Sequence, residues 1–195
     1  MLRLGGDDAS AAGAALVAGF EETHREMEAC VGTWPKNATL RSDSTAGTTA
    51  VLCVLREAEN VLDVAHVGDS RLYLVREDTV QQVTEDHSFV ARQVKAGALT
   101  EEQAKSHRMR NVIYRSLGYQ EDVEVDVQVL ALRKGDRFLL CSDGLYRELN
   151  CETLARELAA DGLDAAADRL LELCLAGAAR DNVSLVIVRP EPCGA

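Results

Sequence analysis

Apolar positions along this chain change period several times, and each change marks an element. Leu16, Phe20, Thr23 and Met27 recur at helical spacing while Glu21, Glu22, Arg25 and Glu26 fall largely outside that stripe. This predicts a helix over 10–29, with Asp8 or Ser10 as N-cap and one face on a sheet. From Cys30 to Thr45 the period disappears among Gly32, Pro35, Asn37, Ser42, Asp43 and Ser44, a loop composition. Strands are then predicted at Thr49–Arg56 and Val61–Val67, pairing antiparallel across a polar turn at 57–60. Leu72–Val75 follows after a bend at Gly68-Asp69 so short that it reads as a tight hairpin, with Asp69 at a loop tip. A further short strand at Val80–Val83 precedes the break at 84–88.

Between Ser88 and Asn111 the spacing is helical again, in two pieces broken at Gly97. Thr100 and Gln103 form a capping box at the start of the second piece. Val112–Leu117 suits helix and strand equally. Val123, Val125, Val127 and Val129 alternate strictly with Glu124, Asp126 and Gln128, a half-buried strand. Phe138–Cys141 is apolar on both faces, flanked by Gly135 and Gly144, and therefore reads as a strand covered on both sides. It delivers Asp143 at its end. Helices follow, one capped by Asn150 and carrying Leu154 and Leu158, the other over Asp164–Ala176 with Leu170, Leu171 and Leu173. A last strand, Val183–Val188, is closed by Pro190.

Composition narrows the classes. At 195 residues and 47 % hydrophobic the chain can build one sizeable core, since domains commonly run to roughly 100–200 residues. The expected organisation is a single domain over 1–190, interrupted by an insertion at 88–111 and followed by a loose tail at 191–195. Cys30, Cys53, Cys141, Cys151, Cys174 and Cys193 form no Cys-x-x-Cys pair and suit a reducing compartment. With neither a leader pattern nor an apolar run near the roughly 18 residues of a membrane span, the expectation is a soluble cytoplasmic protein, read as a monomer. A net charge of −11 disfavours nucleic acid and anionic lipid as partners.

Acidic clusters can instead hold divalent cations. Asp69, Asp143 and Asp181 each stand beside a small or turn-forming residue, Gly68, Gly144 and Asn182, at strand ends or starts. An isolated buried carboxylate is costly, so such residues meet a cation or stay in exposed turns. A Mg²⁺ or Mn²⁺ site and three ordinary turn aspartates are both compatible with the spacing. The four histidines read as structural, and Arg71 and Arg115 as carboxylate-paired or exposed.

Six segments then occur in one order: Ala46-Gly47-Thr48-Thr49-Ala50, Val67-Gly68-Asp69-Ser70-Arg71, Asp86-His87-Ser88, Arg115-Ser116-Leu117-Gly118, Ser142-Asp143-Gly144-Leu145 and Asp181-Asn182-Val183-Ser184. Their order and intervals resemble those of the metal-dependent serine/threonine protein phosphatases, the type 2C or PPM family, over about residues 4–189. The resemblance implies an α+β fold, two antiparallel sheets packed as a sandwich flanked by helices in four layers, α-β-β-α, with Mg²⁺ or Mn²⁺ at one end. It places Val51, Leu62, Val64, Leu74, Leu139, Leu140, Leu185 and Ile187 inside the sandwich. Asp143 and Asp181 would be ligands of one metal and Asp69 of an additional one, with Gly144, Asn182 and Thr48 supporting. The 88–111 insertion would be a flap beside the cleft, and phosphoserine or phosphothreonine proteins the substrates. No catalytic side chain beyond metal-activated water is implied.

The family pattern also begins with strands carrying a phosphate-binding Arg, a Glu-Asp pair and Asp-Gly-x-Gly-Gly. Here Leu4-Gly5-Gly6 resembles the tail of that last motif, with Leu2 and Arg3 at its Asp and Gly positions. Gly5 and Gly6 would be its remnant. The sandwich is expected to lack its first strands, and phosphatase activity is expected to be impaired. The alternative function is a noncatalytic phosphatase-like module that binds phosphoproteins or other partners.

Overall fold

The computed structural model describes residues 11–33, 47–77, 79–118, 122–160, 162–177 and 181–191. Gly5, Gly6, Asp8, Ser10, Ala46 and Cys193 lie outside these residues, as do 34–45 of the expected loop and 192–195 of the expected tail. Helix α1, Ala11–Thr33, is longer than its apolar stripe predicts. It continues past Gly32 to Thr33.

Two antiparallel sheets follow. In the first, β1 (Ala50–Arg56) pairs with β2 (Val61–Val67), and β2 with β5 (Asp126–Ala131). In the second the order is β4 (Thr79–Gln82), β3 (Arg71–Arg76), β6 (Arg137–Cys141), β7 (Leu185–Val188). Leu62 and Val64 of one sheet and Leu72, Leu74 and Phe138 of the other fill the space between them. Because strand side chains alternate, the intervening Tyr73, Val75, Leu139 and Cys141 face outward. There they pack on Leu154 and Leu158 of α5 (Cys151–Ala159) and Leu170 and Cys174 of α6 (Leu163–Ala176). On the opposite side Phe20 of α1 packs on Ala65, Val67 and Leu117. The layers are therefore α-β-β-α, and the apolar run of β6 has a cover for each face. Of the residues expected inside the sandwich, Leu62, Val64 and Leu74 are buried between the sheets, with Val51 and Leu140 partly buried beside them. Leu139, Leu185 and Ile187 are a correction: they alternate onto the outer face of their strands and pack under the helices instead.

The bend at Gly68-Asp69 corrects the hairpin reading. β2 and β3 are not partners: one belongs to each sheet, so the segment crosses between sheets. The apolar patterning of both strands serves two buried faces and does not distinguish a hairpin from a crossing. Gly68 has φ +102°, and an added Cβ would lie 2.3 Å from the Thr49 side chain, so the crossing is built on a residue without one. The 88–111 excursion holds α2 (Phe89–Lys95), capped by Ser88, and α3 (Glu101–Ser106), whose Thr100/Gln103 capping box forms as expected. Val112–Leu117 is neither helix nor regular strand. It is tied by isolated bridges from Ile113 to Ser88 and from Leu117 to Thr48.

Candidate active site

Strand register brings the first two aspartates together. Arg71 is paired with Cys141 in the antiparallel β3–β6 ladder, so Asp69, two residues before, and Asp143, two residues after, leave the sheet at the same end. Cys141 is also paired with Leu185, which brings the 181–184 segment to that end. There the Ser142 N–H donates to the Ser184 carbonyl at 3.0 Å, and the Ser184 N–H to Ser142 Oγ at 3.0 Å. Asp143 then opens a one-turn helix, α4, Asp143–Tyr146. Gly144 sits so close to the Asp181 loop that an added Cβ would be 2.3 Å from the Asn182 carbonyl oxygen. The Asn182 N–H donates to Asp181 Oδ1 at 2.8 Å.

Charge is concentrated here. The Asp69 side chain is 13 % exposed, and its carboxyl is held above the usual carboxylate range by burial, then by the charges of Asp143 and Asp86, against the pull of Arg147. Arg147 lies one helical turn beyond Asp143. Its Nη1 is 3.0 Å from Asp143 Oδ2 and its Nη2 3.7 Å from Asp69 Oδ2. Nη1 also donates to Asn111 Oδ1 at 2.8 Å, at the end of the α2–α3 excursion. The Tyr146 hydroxyl donates to the Asp69 carbonyl at 3.1 Å, and the Arg71 guanidinium covers the Tyr146 ring at 3.5 Å from its centroid. Arg71 is fixed by a bidentate pair with Asp86, at 2.9 and 2.7 Å. The backbone holding Asp69 is thus secured by side chains from both flanks.

A second polar cluster lies behind Gly68. His87 Nδ1 accepts the Gly68 N–H at 3.1 Å, and its Nε2 lies 3.2 Å from Asp126 Oδ2 and 3.1 Å from Arg115 Nη1. Arg115 pairs with Asp126 and Glu124. His66, His87 and Asp126 offer ligand atoms within 4.8 Å of one another. Yet the two imidazoles are stacked, centroids 4.7 Å apart and 24° between planes, so their in-plane lone pairs run side by side and do not converge on one ion. His66 Nε2 is also engaged with the Glu85 carbonyl at 2.9 Å. This cluster clamps the sheet crossing.

The cluster sets an acid limit on stability. Burial holds His66 below its ordinary pKa, with the Glu85 hydrogen bond opposing and His87 adding to the shift. The unfolded chain therefore takes up that proton first, and the stability present above about pH 6.5 is lost as pH falls below it. The hydrogen bond from His87 holds Asp126 down at about 2, so its contribution is present above about pH 3.8 and lost below. Urea unfolding at stepped pH is expected to show a decline below about pH 6.5 that is shallower in His66→Gln, and a further fall below about pH 3.8. An unchanged decline in His66→Gln would remove His66 as its source.

Of the residues singled out in the sequence, the structure gathers Asp69, Asp143, Gly144 and the Asp181-Asn182 loop at one end of the sandwich. Thr48 contacts Leu117 and its own neighbour: its backbone is paired with Leu117, and its hydroxyl donates to the Thr49 carbonyl. Arg71 and Arg115 are carboxylate-paired. Arg147, Tyr146 and Asn111 went unrecognised in the sequence. The i,i+4 spacing of Asp143 and Arg147 was the one available signal, and it requires knowing that α4 forms.

Comparison with known proteins gives the arrangement its context. The protein phosphatase 2C family model matches residues 7–96, and that of stage II sporulation protein E matches 100–191. The solved serine/threonine phosphatase PstP/Ppp of Mycobacterium tuberculosis is 36 % identical with a TM-score of 0.75, over 94 % of this chain and 72 % of that one. The chain belongs to the protein phosphatase 2C family. The catalytic domain of PstP solved in complex with two manganese ions is 34 % identical with a TM-score of 0.72, over 95 % of this chain and 72 % of that one. Full-length PstP of M. tuberculosis is 42 % identical over 141 residues, 72 % of this chain. This family member spans 27 % of that relative's length. No helix among the described residues is long and apolar enough to cross a membrane.

Proposed function

We propose that this chain is a Mg²⁺- or Mn²⁺-dependent protein serine/threonine phosphatase, hydrolysing phosphomonoesters on phosphoserine and phosphothreonine proteins. The observation that carries the reading is the meeting of Asp69, Asp143 and the Asp181 loop at one sheet end, in a family whose PstP catalytic domain was solved with two manganese ions. The donor set fits such ions. It is all oxygen, carboxylates beside backbone carbonyls, as hard divalent cations require. Burial, then the charges of Asp143 and Asp86, disfavour a bare Asp69 carboxylate, and Arg147 only partly opposes them, so a bound cation would relieve the site.

Such ions supply Lewis acidity, offsetting charge on the phosphoryl oxygens and making water acidic enough to act as nucleophile near neutral pH. The protein's own part is positioning. Asp143 and Asp181 would hold one ion and Asp69 an outer one. Gly144 lets the two loops close, while Tyr146 and His87 fix the backbone on either side of Asp69. We read the α2–α3 excursion as the flap bounding the cleft, because Asn111 at its end is tied to Arg147. A cysteine nucleophile is disfavoured: Cys141, two residues from Asp143, has its thiol pushed up to about 12 by burial. Cys53, Cys141, Cys151 and Cys174 stand as thiols, which supports action in a reducing compartment such as the cytoplasm.

Calorimetric titration with Mn²⁺, beside hydrolysis of a phosphothreonine peptide, tests the reading. Asp143→Asn is expected to weaken Mn²⁺ binding by roughly 10–100-fold or more and to abolish Mn²⁺-dependent turnover. Unchanged binding would reject the assignment of Asp143. Binding without turnover in the wild-type chain would favour the noncatalytic module.

A further inference from the structure

We propose that Arg147 is a built-in counter-ion of the Asp69–Asp143 pair, which a divalent cation must displace, and that its displacement releases Asn111 at the base of the α2–α3 excursion. The proposal rests on the metal reading above and adds a competitor and a coupling to it. Three distances carry it: Arg147 Nη1 is 3.0 Å from Asp143 Oδ2 and 2.8 Å from Asn111 Oδ1, and Nη2 is 3.7 Å from Asp69 Oδ2. One guanidinium therefore touches both carboxylates that would face an ion, together with the end of the excursion.

An arginine does not give up its proton in proteins, so it cannot neutralise itself as an ion arrives. A divalent cation on these carboxylates would sit about 2.0–2.6 Å from their oxygens, inside the shell that the guanidinium now occupies. Two cations at that range repel strongly, and the lone pairs directed at Arg147 are then lost to it. The arginine has somewhere to go, because its side chain is 25 % exposed and leaves α4 at its C-terminal end. Nη1 serves Asp143 and Asn111 together, so withdrawal from one breaks the other. Occupancy of the carboxylates is thereby communicated to the excursion without any movement of the sheets.

The test is Mn²⁺ titration of the full chain by calorimetry, as wild type, Arg147→Gln, Arg147→Lys and Asp143→Asn, with thermal unfolding of each in EDTA and in saturating Mn²⁺. Arg147→Gln is expected to bind Mn²⁺ about tenfold more tightly than wild type, and Arg147→Lys to fall between the two, because it keeps the charge but not the planar fork that reaches both carboxylates. In EDTA, Arg147→Gln is expected to melt below wild type, and saturating Mn²⁺ to close that gap. Equal Mn²⁺ affinity in wild type and Arg147→Gln would overturn the displacement and leave the metal site standing. Absence of Mn²⁺ binding in every variant would remove the site and this proposal together. Should Arg147→Gln not fold, the Arg147 Nε–H resonance of the wild-type protein is followed during Mg²⁺ titration. A shift that saturates with binding supports displacement, and an unmoved resonance overturns it.

Discussion

Asp136→Ala is expected to lower the free energy of unfolding by about 3 kcal/mol, near the lower end of the cost of breaking a buried ion pair from one side. Asp136 is 1 % exposed and accepts three hydrogen bonds: from Arg76 Nε at 2.7 Å, Arg76 Nη2 at 2.6 Å and the Arg133 N–H at 2.8 Å. It thus closes the turn that leads into β6 and fastens that turn to the far end of β3. Truncation leaves an uncompensated guanidinium and an orphaned N–H. Arg76 is 24 % exposed at its side chain and donates also to the Ala131 carbonyl, so it reaches some water, which keeps the loss from the upper end of the range. Burial pushes the Asp136 carboxyl up, but the Arg76 and Arg133 hydrogen bonds prevail and hold it below the usual carboxylate range. Its contribution is therefore present above about pH 3.8 and lost as pH falls below that value. Urea denaturation at pH 7 measures the loss directly. A change under about 1 kcal/mol would place the pair with exposed ion pairs, which contribute little.

What the sequence made legible follows from period and burial. Leu72-Tyr73-Leu74-Val75 and Phe138-Leu139-Leu140-Cys141 are apolar on both faces, and only a strand with a sheet on one side and helices on the other needs that. The glycine or asparagine beside each aspartate was equally readable, because close approach at Gly144 requires a residue with no Cβ. The change of sheet at Gly68 was not readable. A two-residue bend between apolar strands looks the same whether the chain folds back or crosses over, and the choice is made by what covers β2 and β3. Arg147 was hidden for a related reason. Its partners Asp69 and Asn111 lie 78 and 36 residues earlier in the chain, and only the β3–β6 register and the return of the α2–α3 excursion bring them to one guanidinium.

Gly144→Ala is expected to cost about 1–2 kcal/mol of stability and to weaken Mn²⁺ binding along with it. The new methyl would lie 2.3 Å from the Asn182 carbonyl oxygen, 3.1 Å from its carbon and 3.3 Å from Val183 Cγ2. The first two are backbone atoms, so no rotamer change relieves the contact. Either α4 or the Asp181 loop must retreat by about 1 Å to restore ordinary contact. Overpacking of this kind costs roughly 1–3 kcal/mol, and occasionally more. Alanine in place of glycine inside α4 returns up to about 1 kcal/mol of helix propensity, which sets the net loss below what the clash alone would give. The retreat also separates Asp143 from the 181–184 segment, whose hydrogen bonds with Ser142 are 3.0 Å long and leave little slack. A divalent ion held by Asp143 and Asp181 needs both within its coordination distance, so affinity falls with the separation even where the fold survives. Thermal unfolding and Mn²⁺ calorimetry on the same preparation separate the two effects. Wild-type Mn²⁺ affinity in a destabilised Gly144→Ala protein would show that the Asp181 loop takes no part in holding the ion, and would leave Asp69 and Asp143 as the carboxylates that do.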